Sequence, residues 1–432
     1  MQTIAAPRVA RDSNTYAIFI IGVLFFVFGF VTWLNGTLIP FLKLACQLSN
    51  DVQAFFVTFA FYMAYFFLAI PSSRILKVTG FKNGMALGLL IMAIGSLIFV
   101  PAANSRSFPV FLTGLFVQGM GLALLQTASN PYISIIGPIE SAAKRISIMG
   151  ICNKGAGMIS PLILAAVVLA DATNLENEIL STTDIIQKNR LLDELASRII
   201  TPYIVITVIL CLLAFMIKKS SLPEIDTDKE EPGTATANNP ARSSVFAYPH
   251  LMLGVVCIFL YVGAEVMAGD AIGMYGKAMG MPLSETKYFT TFTLAAMLVG
   301  YVIGVLTIPK VISQQTGLKF SAISGIIFTV CVFLTDGYTS VTFIALLGLS
   351  NALMWPAIWP LAIGGLGRFT KRASARLVMG IAGGAILPLL YGYFKDNLHL
   401  SNGLSFFLCV LPCYLYILYY SISGYKAGKN QS

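Results

Sequence analysis

The stretch MGICNKGAGMISP, residues 149–161, sets Asn153 and Lys154 side by side in a run that is otherwise apolar or small. A charge at the centre of a bilayer costs roughly 2.5–3.5 kcal/mol on insertion scales, so a lysine there calls for an anionic partner, a ligand or a wet cavity. Other apolar runs carry polar groups as well. LLQTASNPY places Gln126 and Asn130 four residues apart on one helical face. LYVGAEVMAGDAIG holds Glu265 and Asp270, TWLNGTLIP holds Asn35, and LSNALMWPAIWP holds Asn351 with Trp355 and Trp359, again four apart. Amides and carboxylates bind hydroxyl pairs bidentately, while indole faces cover the apolar faces of a pyranose, so this set suits a sugar site. One or two carboxylates beside amides and carbonyls also suit a sodium ion or a proton, which makes Glu265 and Asp270 candidate ion-coupling groups. Lys154 reads as the counter-charge of one of them, directly or through water, or as a donor to a sugar oxygen or acetamido carbonyl.

Each residue also has a plainer reading. A lone transmembrane Asn or Gln can join helices, and Asp270 stands near the outer end of its run, where water could solvate it. Lys154 lies about 10 Å in from the start of its run at 1.5 Å per residue, which leaves snorkelling open to it.

The elements that must position these groups follow from composition. Of 432 residues, 57% are hydrophobic and only 11% charged, against about 25% charged in soluble domains, and the mean hydropathy is +0.80. The chain reads as an all-α integral membrane protein. Spans need about 20 apolar residues each, and twelve are predicted: 16–39, 52–72, 83–101, 109–133, 146–170, 201–217, 249–270, 289–309, 318–335, 341–364, 374–394 and 403–422. Prolines 131, 356 and 360 are expected to break the fourth and tenth spans at matching places.

The only polar low-complexity stretch, KKSSLPEIDTDKEEPGTATANNPARSSV, splits the spans six and six. The chain is thus expected to divide into an N-terminal half, 1–217, a linker, 218–248, and a C-terminal half, 249–432. An internal echo supports two related halves: KRISIMGICNKGAGMISPL after the fourth span and KRASARLVMGIAGGAILPL after the tenth share KR-x-S, MGI, a glycine pair and Pro-Leu. Arg74, Lys77, Lys82, Lys144, Arg145, Lys218, Lys219, Lys310, Lys319, Arg368, Lys371, Arg372 and Arg376 fall on one side of the twelve-span plan, and the opposite loop 171–200 holds more acids than bases. By the positive-inside rule, both termini and the linker face the cytoplasm.

Other classes of function find little support. The net charge of +9 is spread over short loops rather than gathered in a stripe with aromatics, which argues against nucleic acid. Seven scattered cysteines and two histidines have no metal-ligand spacing. No GxSxG, no HExxH and no intramembrane histidine pair points to an embedded enzyme, and no soluble signalling domain points to a sensor. The polar N-terminus lacks a cleavable signal pattern, and the NGT at 35–37 ends a span, where it means nothing for glycosylation.

Two six-helix halves joined by a cytoplasmic loop resemble the plan of the major facilitator superfamily, whose substrates bind near the midplane between halves. The loop PSSRILKVTGFKNG, 71–84, resembles that superfamily's basic loop signature without its aspartate. Over essentially the whole chain, LNGTLIP, LQTASNPY, the Asn153 region, FLYVGAEV and GRFTKRASA through MGIAGGAILP are similar to the fucose/glucose/galactose permeases. TWLNG, MGICNKGAG, EVMAGD and WPAIWPLAI look closest to the branch with bacterial N-acetylglucosamine permeases. The resemblance implies a twelve-helix sugar importer of the inner membrane, a cation symporter working by alternating access on N-acetylglucosamine, glucose or galactose. It implies a protein that works as a monomer and needs no cofactor beyond the coupling cation, sodium or proton. It also exposes departures: where fucose permeases have a proton-carrying aspartate and glutamate, this chain has Gly36 and Gln126. Glu265 is then the first candidate for ion coupling, with Lys154 as its balancing charge. The main alternative is an exporter or antiporter of drugs or small metabolites, whose cavity should be mostly apolar.

Overall fold

In hydrocarbon every backbone N–H and C=O must find its partner within the protein, and an apolar run does so as a helix. The computed structural model describes residues 11–135, 142–168, 172–222, 244–308, 311–366 and 369–429. Residues 223–243, most of the expected linker, lie outside the described residues, as do residues 1–10 and the basic-loop residues Lys310 and Arg368. In chain order the helices are α1 (Arg11–Trp33), α2 (Asn35–Ala45), α3 (Asp51–Leu97), α4 (Phe99–Asn104), α5 (Phe108–Ile135), α6 (Ala142–Val168), α7 (Ala172–Ser181), α8 (Ile185–Ser197) and α9 (Ile200–Lys219). After the linker come α10 (Pro249–Gly269), α11 (Ile272–Ala278), α12 (Leu283–Thr286), α13 (Phe289–Thr307), α14 (Gln314–Leu334), α15 (Gly337–Asn351), α16 (Met354–Ile363), α17 (Thr370–Met379), α18 (Gly383–Asp396) and α19 (Asn402–Ile422).

Among the described residues, eleven stretches are long and apolar enough to cross a membrane. One of them, Asp51–Asn104, has 54 residues and would run about 80 Å if straight, far beyond a hydrocarbon core of about 30 Å. It bends at Gly80, where φ is 75° and ψ 174°, a conformation open to glycine and strained for any other residue. Asp51–Asn104 therefore supplies two crossings, and the twelve expected from the sequence are all present.

Polar residues start several of these helices. Asn50 Oδ1 accepts from Gln53 N at 2.9 Å at the head of α3, and Ser313 and Ser401 cap α14 and α19. The acidic loop 171–200 is not a loop but two short helices, α7 and α8. Asp184 Oδ1 caps α8 by accepting from Ile186 N at 2.9 Å.

The helix breaks differ from those that the prolines suggested. Helix α5 continues through Pro131 to Ile135, whereas the tenth span does break, between Asn351 and Met354. Two further breaks fall in the first span, at Leu34 between α1 and α2, and in the seventh, at Asp270–Ala271 between α10 and α11. The eleventh span narrows to a 3-10 turn at Gly380–Ala382. There a Cβ on Gly383 would overlap the Phe259 main chain, so α18 and α10 pack backbone to backbone.

Helix α6 packs on α1 and on α13, and α3 packs on α5, α17 and α18. The outer surface carries large apolar side chains, such as Phe19, Ile163, Leu212 and Phe215, as a lipid-facing belt requires. At one end of the bundle, Asp51 Oδ2 takes a 2.5 Å hydrogen bond from Lys395 Nζ, and its Oδ1 pairs with Lys43. Val52 N donates to Asp396 Oδ2 at 2.9 Å beside them, and Lys277 pairs with Glu176. All but the Lys43–Asp51 pair tie segments more than 100 residues apart.

Candidate functional site

A cavity of about 100 Å³ lies at the centre of the bundle, walled by α1, α3, α5 and α6 from the first half of the sequence and by α10, α13, α16 and the Gly380–Ala382 turn from the second. Its polar side chains include Gln126, Asn130, Asn153, Lys154 and Glu265, and its aromatic ones include Trp33, Tyr62, Tyr65, Tyr261, Tyr301 and Trp355. Helical spacing explains the convergence. Gln126 and Asn130 point inward from successive turns of α5, as Tyr261 and Glu265 do from α10.

Lys154 is 6% exposed, and its Nζ lies 2.9 Å from Glu265 Oε1. The lysine therefore does not snorkel; a carboxylate from another helix, 111 residues on, meets it inside the protein. Tyr261 Oη also donates to Glu265 Oε1, at 2.7 Å. On its other side the ammonium stands over the Trp33 ring, 4.2 Å from the centroid, in cation–π contact. The indole N–H of Trp33 donates to Asn153 Oδ1 at 3.4 Å, and Asn153 Nδ2 donates to the Phe25 carbonyl, also at 3.4 Å. Both bonds are long. The amide is lightly held, and a ligand could compete for it.

Gln126 Nε2 donates to Tyr65 Oη at 3.0 Å, which leaves its carbonyl for a hydroxyl donor. Trp355 forms part of the wall, with Trp359 stacked against it, ring centroids 5.2 Å apart and planes at 29°. The face of Trp355 toward the cavity is thus backed by a second indole.

Of the ten residues singled out in the sequence, Gln126, Asn130, Asn153, Lys154, Glu265 and Trp355 line the cavity, and four do not. Trp359 supports Trp355 from behind. Asn351 is wholly buried and accepts from Tyr414 Oη at 2.8 Å. Asn35 and Asp270 lie away from the wall, 1% and 0% exposed, so water does not solvate Asp270. Tyr62, which does line the cavity, donates to Asp270 Oδ2 at 3.2 Å and links the two places. The residues that sequence reasoning missed are Thr32 and, among the aromatic ones, Trp33, Tyr62, Tyr65, Tyr261 and Tyr301. In an apolar span nothing separates such a side chain from ordinary core. Only Tyr261 left a signal, four residues before a membrane-embedded glutamate.

A helical bundle in the membrane, with one charged pair and a ring of amides and aromatics at its centre, has the build of a transporter rather than an enzyme. Residues 21–388 match the Major Facilitator Superfamily family model. A glucose/galactose transporter of Brucella abortus is 32% identical over 423 residues, 97% of this chain and 96% of that protein. The L-fucose-proton symporter of Escherichia coli is 26% identical over 396 residues, 91% of this chain and 90% of that one. The solved outward-facing structure of the superfamily transporter FucP superposes with a TM-score of 0.75 at 25% identity, over 95% of this chain and 98% of that one. The chain belongs to the Major Facilitator Superfamily, within the group of fucose, glucose and galactose permeases.

Proposed function

We propose that the protein imports a sugar (N-acetylglucosamine, glucose or galactose) by cation-coupled symport with alternating access. The observation that carries this reading is the wall chemistry: amide, hydroxyl and charged groups interleaved with aromatic faces, which a pyranose needs and an apolar drug does not. The names of the relatives in Brucella abortus and Escherichia coli agree with it. Gln126, Asn130, Asn153 and Lys154 would bind sugar hydroxyls or an acetamido group, and Trp355, braced by Trp359, would carry the ring. Asn35 and Asn351 would reach the substrate only after the helices move. Glu265 and Asp270 would take part in ion coupling, with Lys154 the balancing charge of Glu265. At about 100 Å³ the cavity is small beside ligand pockets of about 300–1,000 Å³, which supports a closed state that opens to admit substrate.

The halves 1–217 and 249–432, joined by the linker 218–248, would rock about this site as one monomer. The Lys and Arg asymmetry of the loops supports an inner-membrane protein with both termini in the cytoplasm. The Asp51–Lys395 and Glu176–Lys277 pairs would then close its outer face.

The test is uptake of radiolabelled N-acetylglucosamine, glucose and galactose into proteoliposomes, with sodium and proton gradients imposed separately. Accumulation of one sugar under one gradient is expected. No uptake of any of the three under either gradient would overturn the importer reading.

A further inference from the structure

Asp270 and its surroundings carry more than the cavity explains. Its carboxylate is wholly buried, and Oδ1 has no hydrogen-bond partner among the described residues. The hydroxyls of Thr286 and Thr37, 2% and 0% exposed, also have none, nor does the side-chain amide nitrogen of Asn35. The segments that carry these groups meet at Gly36 and Gly273. The Gly36 main-chain N–H faces the Asp270 carboxylate. A Cβ on Gly36 would fall on the Thr290 hydroxyl, and one on Gly273 would lie 3.2 Å from the Thr286 carbonyl and 3.8 Å from that of Gly36. Burying several polar atoms unpaired costs about 1–3 kcal/mol each, so an oxygen-rich cluster of this kind calls for a guest.

The backbone adds to the argument. Two helices end here, α1 at Trp33 and α10 at Gly269, and two begin, α2 at Asn35 and α11 at Ile272. A helix C-terminus presents carbonyl oxygens and the negative end of its dipole, and broken membrane helices hold small cations in this way. Glu265, by contrast, already has an ammonium and a phenol on Oε1.

We propose that Asp270, with the hydroxyls of Thr286 and Thr37 and the main-chain carbonyl of Gly36, forms a sodium site distinct from the Lys154–Glu265 pair. One carboxylate among neutral oxygens matches a single positive charge, and hydroxyl and carbonyl oxygens suit a hard cation. The site is wired to the cavity. Tyr62 Oη donates to Asp270 Oδ2 from the cavity wall, and Trp33, the last residue of α1, stands beneath the Lys154 ammonium. Sodium on Asp270 would fix Tyr62 and Trp33 against the sugar. This coupling rests on the proposed sugar transport, whereas the ion site does not.

Thermal unfolding of the purified protein in detergent tests the site, with sodium chloride titrated against choline chloride at constant ionic strength. Saturable stabilisation by sodium alone is expected, lost in Asp270→Asn and kept in Asp336→Asn, which removes an exposed carboxylate elsewhere. Thr286→Val, which keeps the shape, should raise the half-saturating sodium about tenfold. No difference between sodium and choline in the wild-type protein would overturn the site, as would an unchanged sodium response in Asp270→Asn. Glucose, galactose and N-acetylglucosamine binding to the same preparation separates the two claims. Sugar binding without a sodium effect refutes the ion site alone; a sodium effect without sugar binding refutes the sugar reading and leaves the ion site standing.

Discussion

The Lys154 ammonium is held between the carboxylate of Glu265, 2.9 Å from Nζ, and the ring of Trp33, 4.2 Å from Nζ to centroid. Three segments widely separated in sequence therefore meet at one charge. This answers why a lysine stands inside a membrane helix: its cost is offset by a partner brought from α10 and by the face of an aromatic ring from α1.

Removing one member of a buried pair leaves the other uncompensated, at a cost of about 3–5 kcal/mol. Lys154→Ala alone is therefore expected to lower the unfolding midpoint more than Lys154→Ala combined with Glu265→Gln. Additive losses in the double variant would show that the two groups do not interact.

Trp33 is also tightly packed. A Cβ on Gly157 would approach Trp33 Cγ to 2.8 Å, and one on Gly269 would come within 3.2 Å of Cη2. Overpacking of this kind costs about 1–3 kcal/mol, so Gly157→Ala should destabilise the protein. Trp33→Leu should recover part of that loss in the double variant, which a set of unfolding curves would show. Independent losses would place the indole elsewhere.

The Asp51 cluster gives a conformational prediction. Burial pushes the nearby Cys46 thiol up to about 11, so its thiolate is scarce near neutral pH and maleimide labelling is slow. Asp51→Asn removes the negative charge that pairs with both Lys43 and Lys395 and should let that face open. Labelling of Cys46, followed by mass spectrometry of its peptide, should become several-fold faster. In the wild-type protein the rate should rise as pH climbs toward 11, because the reactive form is the deprotonated one. Equal rates in variant and wild type would mean that the cluster does not hold the face shut.

Much of this was legible in the sequence because membrane insertion imposes a strong code. Twenty-residue apolar runs gave the crossings, and the polar residues within them, with Trp355, gave six of the cavity's side chains. What stayed hidden has physical reasons. The bend at Gly80 lay between two predicted spans, but the breaks at Leu34 and Asp270 depend on tertiary support that carries no proline signal. Pro131 misled because a helix can run through a proline when its neighbours hold it. Asn35, Asn351 and Asp270 are as polar and as embedded as Asn153, and only the packing decides which of them reaches the cavity.

Whether this cavity holds the sugar is tested most directly by equilibrium binding of radiolabelled glucose, galactose and N-acetylglucosamine to the purified protein, comparing wild type with Gln126→Leu and Trp355→Ala. Loss of a hydrogen bond or of an aromatic platform is worth about 1 kcal/mol or more. Saturable binding of at least one sugar is expected in the wild-type protein, weakened about fivefold to tenfold in each variant. Sugar binding that survives both substitutions unchanged would contradict the account and place the substrate elsewhere in the bundle.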